Sequence, residues 1–465
     1  MYYLLPFRFE RTPNYEILVN EVGDYLIVPL GTAQRIAEKK IYKEEKIYKD
    51  LIVNFIISES VIPPLIDNWA SRYRTKKSFL DTFTALHIFV LTLRCNQNCI
   101  YCQAYSRQCD VTSSDISFED LSAAIDLMFQ SPSPTITMEF QGGEPTLVFD
   151  RLKFAVERAN NLNDKYQKKI SYVICTNSVN LSDELLGLCK LYNILISTSL
   201  DGPEFLHNEN RSKSDSYKKV TAGIQKARSY LGYDNVSALM TTSNKSLKYP
   251  REIIDSYRYN GFNNIFLRAL NPYGLATDNN WKPYTDNFIA FYMQALNYII
   301  ELNLKGEFFV EDYTALLLKK ILTPFCIGFV DLQSPAGIIN SVIVYNYDGY
   351  VYASDESRML AEKSDFTFQL GHVTDPYNKI FFNKKVGEIA QIWANEAIAG
   401  CSDCAFQAYC GADPVRNYST QHDMYGYRPS SLFCYKNKEI INHLFFLIHN
   451  RPDVLTIFKG WINRF

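Results

Sequence analysis

Between about residues 86 and 300 the chain repeats one pattern: an apolar run of strand length, a turn, then an amphipathic stretch of helical period. The runs are HIFVLTL, TITMEF, ISYVICTN, ILISTSLD, VSALMTTS and NIFLRAL. The helical stretches between them include one with apolar Phe118, Leu121, Ile125 and Met128, preceded by the capping pair Ser117 and Asp120, and others over 151–162, 183–192, 216–230 and 250–259. Strand–helix units of this length place successive strands parallel, joined by right-handed crossovers. The fold class is therefore α/β, and the units predict a partial (β/α)6 barrel with its chemistry at the C-terminal strand ends.

At 465 residues the chain outgrows a single hydrophobic core. Residues 1–85 form an N-terminal α+β unit, with YEILVN and DYLIVP as a hairpin around Glu21-Val22-Gly23 followed by short amphipathic helices. Residues 86–300 are the barrel and 301–465 a cysteine-rich C-terminal domain. The aromatic stretch FIAFYMQALNYIIEL and the helix YTALLLKKIL read as core at the joint between domains.

The first strand runs into Cys95-Asn-Gln-Asn-Cys99-Ile-Tyr-Cys102. Three thiolates at this spacing can hold three corners of a cubane iron–sulfur cluster and leave one iron open. Zinc prefers four closed ligands; Cys109 is the nearest further thiol, so a zinc knuckle is the other reading. Near the end, Cys401, Cys404, Cys410 and Cys434 can close either a tetrahedral zinc site or a fully ligated [4Fe-4S] cluster, and spacing alone does not separate them. The remaining cysteines, Cys109, Cys175, Cys189 and Cys326, are isolated and read as small buried hydrophobes.

Composition excludes other classes. Lys plus Arg of 48 against Asp plus Glu of 50 leaves no electrostatic footprint for nucleic acid or an anionic membrane surface. No apolar run approaches the length of a spanning helix, MYYLLPFRFER lacks a basic start, and cysteines grouped as metal ligands suit a cytoplasmic protein.

The Cys-x3-Cys-x2-Cys spacing, the aromatic Tyr101 and the preceding strand resemble the radical S-adenosylmethionine (SAM) enzymes. The resemblance implies that the open iron binds the amino and carboxylate groups of SAM, and that electron transfer cleaves it to a 5'-deoxyadenosyl radical. It assigns Gly142, Gly143 and Glu144 of QGGEP to the SAM amino group, with Gln141 beside them as a cofactor-binding candidate, and Thr176, Asn177 and Ser178 to ribose and carboxylate. Ser199 and Asp201 stand at the next strand end, Arg211 is a candidate carboxylate clamp, and Leu267 with Arg268 at the last strand end would meet adenosine or substrate. His207 reads as a structural hydrogen-bonder.

The second cysteine cluster is similar to the SPASM extension of these enzymes, which usually serves two auxiliary clusters. Here Pro414 and Ser354 stand where that pattern has cysteines, leaving Cys326 as the inner cluster's lone candidate ligand. Two clusters in total are expected, one cleaving SAM and one auxiliary. Asp355 aligns with an aspartate that acts as general base in sulfatase-maturing relatives; as a residue alone it is equally a turn aspartate.

The longer strings, including LPFRFER, STSLDGP, FLRALNPYG, VDLQSPAG and YNYDGYVYASDESRML, resemble the radical SAM/SPASM peptide maturases of the His-Xaa-Ser system (HxsB-like). The N-terminal unit resembles winged-helix-like, PqqD-like peptide-recognition elements, which take a leader peptide as an added strand. Together these imply a maturase that modifies a ribosomally synthesised precursor peptide by C–H abstraction, most simply to an intramolecular crosslink. A flavodoxin- or ferredoxin-type electron donor and a second radical SAM maturase would be its partners. The alternatives are a peptide epimerase with Cys326 as hydrogen donor, a sulfatase-maturase-like oxidase, and a non-catalytic metal-stabilised peptide binder or redox sensor.

Overall fold

The computed structural model describes residues 2–61, 63–276 and 281–463. At the N-terminus β1 (Tyr3–Leu4) pairs antiparallel with β5 (Ile57–Ser58). The expected hairpin is present as β3 (Tyr15–Asn20) and β4 (Tyr25–Pro29), and β2 (Phe7–Arg11) adds a third antiparallel strand in the order β2-β3-β4. Helices Thr32–Ala37, Lys46–Val53 and Pro63–Lys76 follow. This unit is fastened to the C-terminal region: Tyr25 meets Phe445 with ring centroids 4.9 Å apart, Glu10 pairs with Lys438 at 3.1 Å, and the Tyr409 hydroxyl donates to the Gly23 carbonyl at 2.9 Å.

The barrel strands are β6 (Leu86–Thr92), β7 (Thr135–Gly142), β8 (Lys169–Thr176), β9 (Leu195–Ser199) and β10 (Val236–Leu239), all parallel and in chain order. The helices between them fall where the amphipathic period puts them. Ser117 caps Phe118–Phe129 by accepting from Asp120 N, and Ser182 caps Asp183–Tyr192 through Leu185 N. On β7 and β8 the buried Ile136, Met138, Phe140, Tyr172 and Ile174 join the apolar core. The alternate positions, among them Glu139, Gln141 and Cys175, fall on the opposite face of the same strands, toward the lumen.

Two features differ from the expected six units. NIFLRAL supplies only β11 (Asn264–Ile265), which pairs parallel with β12 (Val310–Glu311) and touches the barrel through one bridge, Thr242 to Ala269. Its backbone leaves the ladder because side chains satisfy it: Leu267 N donates to Glu311 Oε1 at 3.1 Å and Leu270 N to the Tyr284 hydroxyl at 2.7 Å. The sixth parallel strand of the main sheet is instead β13 (Val342–Tyr345), paired with β6 from Val342–Leu86 to Tyr345–Phe89. β14 (Tyr350–Tyr352) and β15 (Gln369–His372) extend it antiparallel, so residues placed by sequence in the C-terminal domain complete the barrel sheet.

Helices Trp281–Leu304 and Asp312–Leu322 bury their aromatic and leucine faces, as expected of core. Among the described residues no helix is long and apolar enough to cross a membrane.

Candidate cofactor and substrate site

The loop after β6 is clamped on several sides. Cys95 N donates to Arg107 O, Ile100 N to Asn210 O and Leu275 N to Cys102 O, each at 2.9 Å, and Gln103 Nε2 to Asn271 O at 2.8 Å. Arg358 Nη1 reaches the Ala104 carbonyl at 3.1 Å from the C-terminal region. Cys95, Cys99 and Cys102 line one cavity at the strand ends, shared with Gln141, Gly142, Gly143, Thr176, Asn177, Ser199 and Arg211.

The three thiols lie close enough to bias one another electrostatically, and burial pushes Cys95 up to about 12 and Cys99 to about 11. Such thiols become thiolates at neutral pH when a metal supplies positive charge. Cys109 is exposed and donates to the Cys95 carbonyl at 3.2 Å, so it does not complete the set. Among the described residues no three His, Cys, Asp or Glu side chains converge to hold a single metal ion. Thiols ranged around a cavity suit a bulkier iron–sulfur cluster rather than a zinc knuckle.

The glycines of QGGEP are required by the chain itself. A Cβ on Gly142 would lie 2.0 Å from Thr92 O, and one on Gly143 2.2 Å from Arg94 O. Their absence lets the end of β7 press against the end of β6, where Gly143 N and Glu144 N donate to Thr92 O and Arg94 O at 2.8 and 2.7 Å. Glu144 is buried and ties this turn to β8. Its Oε1 accepts from Thr146 N, Thr146 Oγ1 and Thr176 Oγ1, and its Oε2 from Asn177 N at 2.8 Å. Asn177 Nδ2 in turn donates to Asn96 Oδ1 of the cysteine loop at 2.7 Å.

Behind the cysteines sits a buried polar network. Arg211 pairs with Asp201 at 3.0 Å and donates to the Tyr101 hydroxyl at 2.8 Å and Gln97 Oε1 at 3.2 Å, while Tyr101 donates to Asp201 at 2.6 Å. Burial would raise the Asp201 carboxyl, but the Arg211 guanidinium holds it below its ordinary value. His207 Nδ1 accepts from Asp201 N at 3.2 Å and its Nε2 meets Ser216 Oγ at 3.0 Å, in keeping with a structural histidine.

Some expected contacts lie elsewhere. Arg211 is committed to Asp201 rather than free to clamp a carboxylate, and Tyr101, Asp201 and Glu144 stand behind the cavity wall. Ser178 is buried against Gly223, whose Cβ would meet Ser178 O at 2.0 Å. Leu267 lines a neighbouring cavity. Asp355 opens the helix Asp355–Ala361 after the capping residue Ser354 and pairs with Arg358 at 2.9 Å.

Two residues were missed. Cys175 lines the cysteine cavity and donates to Glu139 Oε1 at 3.5 Å; its strand parity with Val173 was the available signal. Glu356, next to Asp355, lines the neighbouring cavity. Cys326 accepts from Ser78 Oγ at 3.2 Å in a separate cavity with Lys76, Lys77 and Lys320.

Cys401, Cys404, Cys410 and Cys434 come together around a small cavity with Asn437 and Lys438. Asn437 Nδ2 donates to Cys410 Sγ at 3.5 Å, and Cys434 N is capped by Ser431 Oγ at 3.3 Å in the first turn of Leu432–Asn450. Burial raises Cys401 to about 12 and Cys404 to about 11. This donor set fits a fully ligated cluster.

Residues 89–256, which carry the parallel strands with the three-cysteine loop and the glycine turn at their C-terminal ends, match the model of the Radical SAM superfamily. The fold is similar to that of "Native anSMEcpe with bound AdoMet" (18% identity, 81% of this chain and 99% of that one, TM-score 0.64). It is also similar to Streptococcus suis SuiB bound to precursor peptide SuiA (12% identity, 93% and 100% coverage, TM-score 0.54). A search of curated proteins finds no match.

Proposed function

We propose that this protein is a radical SAM peptide maturase that modifies a ribosomally synthesised precursor peptide by C–H abstraction, most simply closing an intramolecular crosslink. One observation carries the reading: Cys95, Cys99 and Cys102 line the same strand-end cavity as Gly142, Gly143 and Asn177, while the cavity's other thiol, Cys175, stands on β8 and donates to Glu139. When bound, a [4Fe-4S] cluster on these cysteines would supply the electron that cleaves SAM, yielding the 5'-deoxyadenosyl radical that removes a substrate hydrogen. The exposed backbone of Gln141–Gly143 would meet the SAM amino group, and Thr176, Asn177 and Ser199 its carboxylate and ribose. Glu144, Asp201, Arg211 and Tyr101 position that wall.

Cys401, Cys404, Cys410 and Cys434 would hold one auxiliary [4Fe-4S] cluster serving electron relay and the joint to the N-terminal unit. The similar structures of SuiB bound to precursor peptide SuiA and of anSMEcpe with bound Cp18Cys peptide support a peptide substrate. Either edge of the β2-β3-β4 sheet could take a leader peptide as an added strand. The proposal includes a flavodoxin- or ferredoxin-type donor and a second maturase as partners.

Cys175 favours one second reading, a peptide epimerase, since a lumen thiol could return a hydrogen atom to a substrate radical. The resulting thiyl would then need one electron and one proton from the external reductant. Anaerobic reconstitution with SAM, dithionite and a precursor peptide decides. 5'-Deoxyadenosine is expected, with a peptide mass loss of two hydrogens for the crosslink; unchanged mass with inverted chirality would replace it by epimerisation. No 5'-deoxyadenosine would overturn both.

A further inference from the structure

The helix Leu432–Asn450 brings two residues to the four-thiol site. It supplies Cys434 in its first turn, and three residues on, on the same face, it carries Asn437, whose side chain is only 2% exposed. A buried side-chain amide inside a helix is costly unless both of its ends find partners. Here both do: Nδ2 donates to Cys410 Sγ at 3.5 Å, and Oδ1 accepts from the Tyr313 hydroxyl at 3.1 Å. Among the described residues, Asn437 is the one side chain that hydrogen-bonds to a sulfur of Cys401, Cys404, Cys410 or Cys434.

Tyr313 fixes which way that amide faces. Its ring is buried with centroids 5.8 Å from Phe266, 6.3 Å from Phe329 and 6.4 Å from Tyr292, and Glu311 caps its backbone N–H at the start of Asp312–Leu322. With Oδ1 taken by the hydroxyl, Asn437 presents N–H to the sulfur; turned over, it would set a carbonyl oxygen against a thiolate. The same tyrosine lines the neighbouring cavity that Leu267 and Arg268 share, so the chain Tyr313, Asn437, Cys410 runs from that cavity's wall to the four thiols. A donor to a cluster sulfur stabilises the state in which the sulfurs carry more negative charge, and hydrogen bonds of this kind are among the levers that set a cluster's reduction potential.

We infer that Asn437, oriented by Tyr313, is a positioning residue that raises the reduction potential of the auxiliary cluster above what the four thiolates alone would give. The inference rests on the reading that Cys401, Cys404, Cys410 and Cys434 hold an iron–sulfur cluster. It gives a buried asparagine and a buried tyrosine, neither of which lines the SAM cavity, a part in electron relay.

The test is a redox titration followed by electron paramagnetic resonance on the reconstituted full-length protein, run in parallel on Cys99→Ala, in which the remaining signal belongs to the auxiliary cluster. Asn437→Leu, which fills the same space without a donor, should make reduction about tenfold less favourable, a fall of about 59 mV for a one-electron couple. Tyr313→Phe, which frees the amide to turn, should move it about threefold, about 28 mV, in the same direction. Ile441→Val, which trims the wall of the same small cavity without touching a hydrogen bond, is the control and should leave the potential where it is. An unchanged or raised potential in either of the first two variants, or an equal fall in Ile441→Val, overturns the inference. Should Asn437→Leu fail to take up iron, Tyr313→Phe decides alone. Zinc in the four-thiol site, or no second redox-active signal in the wild type, removes the auxiliary-cluster reading and this inference with it; a wild-type signal with unshifted variants removes the hydrogen-bond chain only.

Discussion

The two cysteine constellations are built from the same atoms to opposite ends. Cys95, Cys99 and Cys102 sit in a loop whose open side faces a cavity walled by glycine backbone and strand-end polar groups. Cys401, Cys404, Cys410 and Cys434 surround a small cavity fastened by helix Leu432–Asn450, with the N-terminal sheet bonded to the same region. On the proposed reading, three thiols with an adjoining cavity would leave room for a ligand on iron, whereas four thiolates would occupy every protein-facing corner of a cluster. Reactivity and rigidity would then belong to different ends of one molecule.

The sharpest way to break this contrast is to remove one thiol from each set. Cys99→Ala should lower 5'-deoxyadenosine formation by at least about 10³-fold and remove roughly half of the iron, without loss of the other cluster's spectroscopic signal. Cys434→Ala should also remove roughly half of the iron and lower the melting temperature by several degrees, since metal–ligand bonds contribute directly to folding. Dithionite-driven SAM cleavage in that variant should persist within about tenfold. If both variants lose SAM cleavage equally, the division of labour is wrong.

The glycine wall tests the open side. Gly143→Ala places a methyl 2.2 Å from the Arg94 carbonyl, and backbone cannot yield as a side chain can. A loss on the order of 3 kcal/mol in stability is expected, measured by denaturant unfolding, together with weaker SAM binding. Gly187→Ala, on an open helix face, is the control and should be neutral or slightly stabilising.

How much of this was legible in the sequence follows from which interactions are local. Asp183–Tyr192 and Pro250–Tyr259 coincide with the stretches read from period, and in the structure Ser182 caps the first and Pro250 opens the second. The pairing of β13 beside β6 was not legible: it joins residues more than 250 positions apart, and no periodicity encodes a partner. The loss of NIFLRAL from the sheet depends on Glu311 and Tyr284 capturing its amides, again at long range. At the site, cysteine spacing and strand-end position identified the residues brought together. Asp355 and Glu356 could not be told apart, since adjacent residues in one helical turn point about 100° apart and only the packed structure shows which one meets a partner.

The network behind the cysteines offers a smaller and pH-dependent test. Burial, then the neighbouring Arg211 charge, lowers His207 to about 4, although Asp201 opposes the shift. A histidine that binds its proton more weakly when folded contributes stability that is complete above its unfolded value near 6.5 and is lost as pH falls toward 4. By linkage that loss is at most about 3 kcal/mol. His87, lowered to about 3 by burial, adds to the same window, whereas Asp201, held below its ordinary value, acts only at lower pH. Asp413, raised to about 6 by burial, gains stability as pH falls through the same window, so the test is a difference: relative to His207→Gln, the wild type should lose melting temperature between pH 6.5 and 4.5, whatever the variant's effect at pH 7. An unchanged slope would mean that His207 is protonated in the native state, which the amide of Asp201 donating to its Nδ1 forbids.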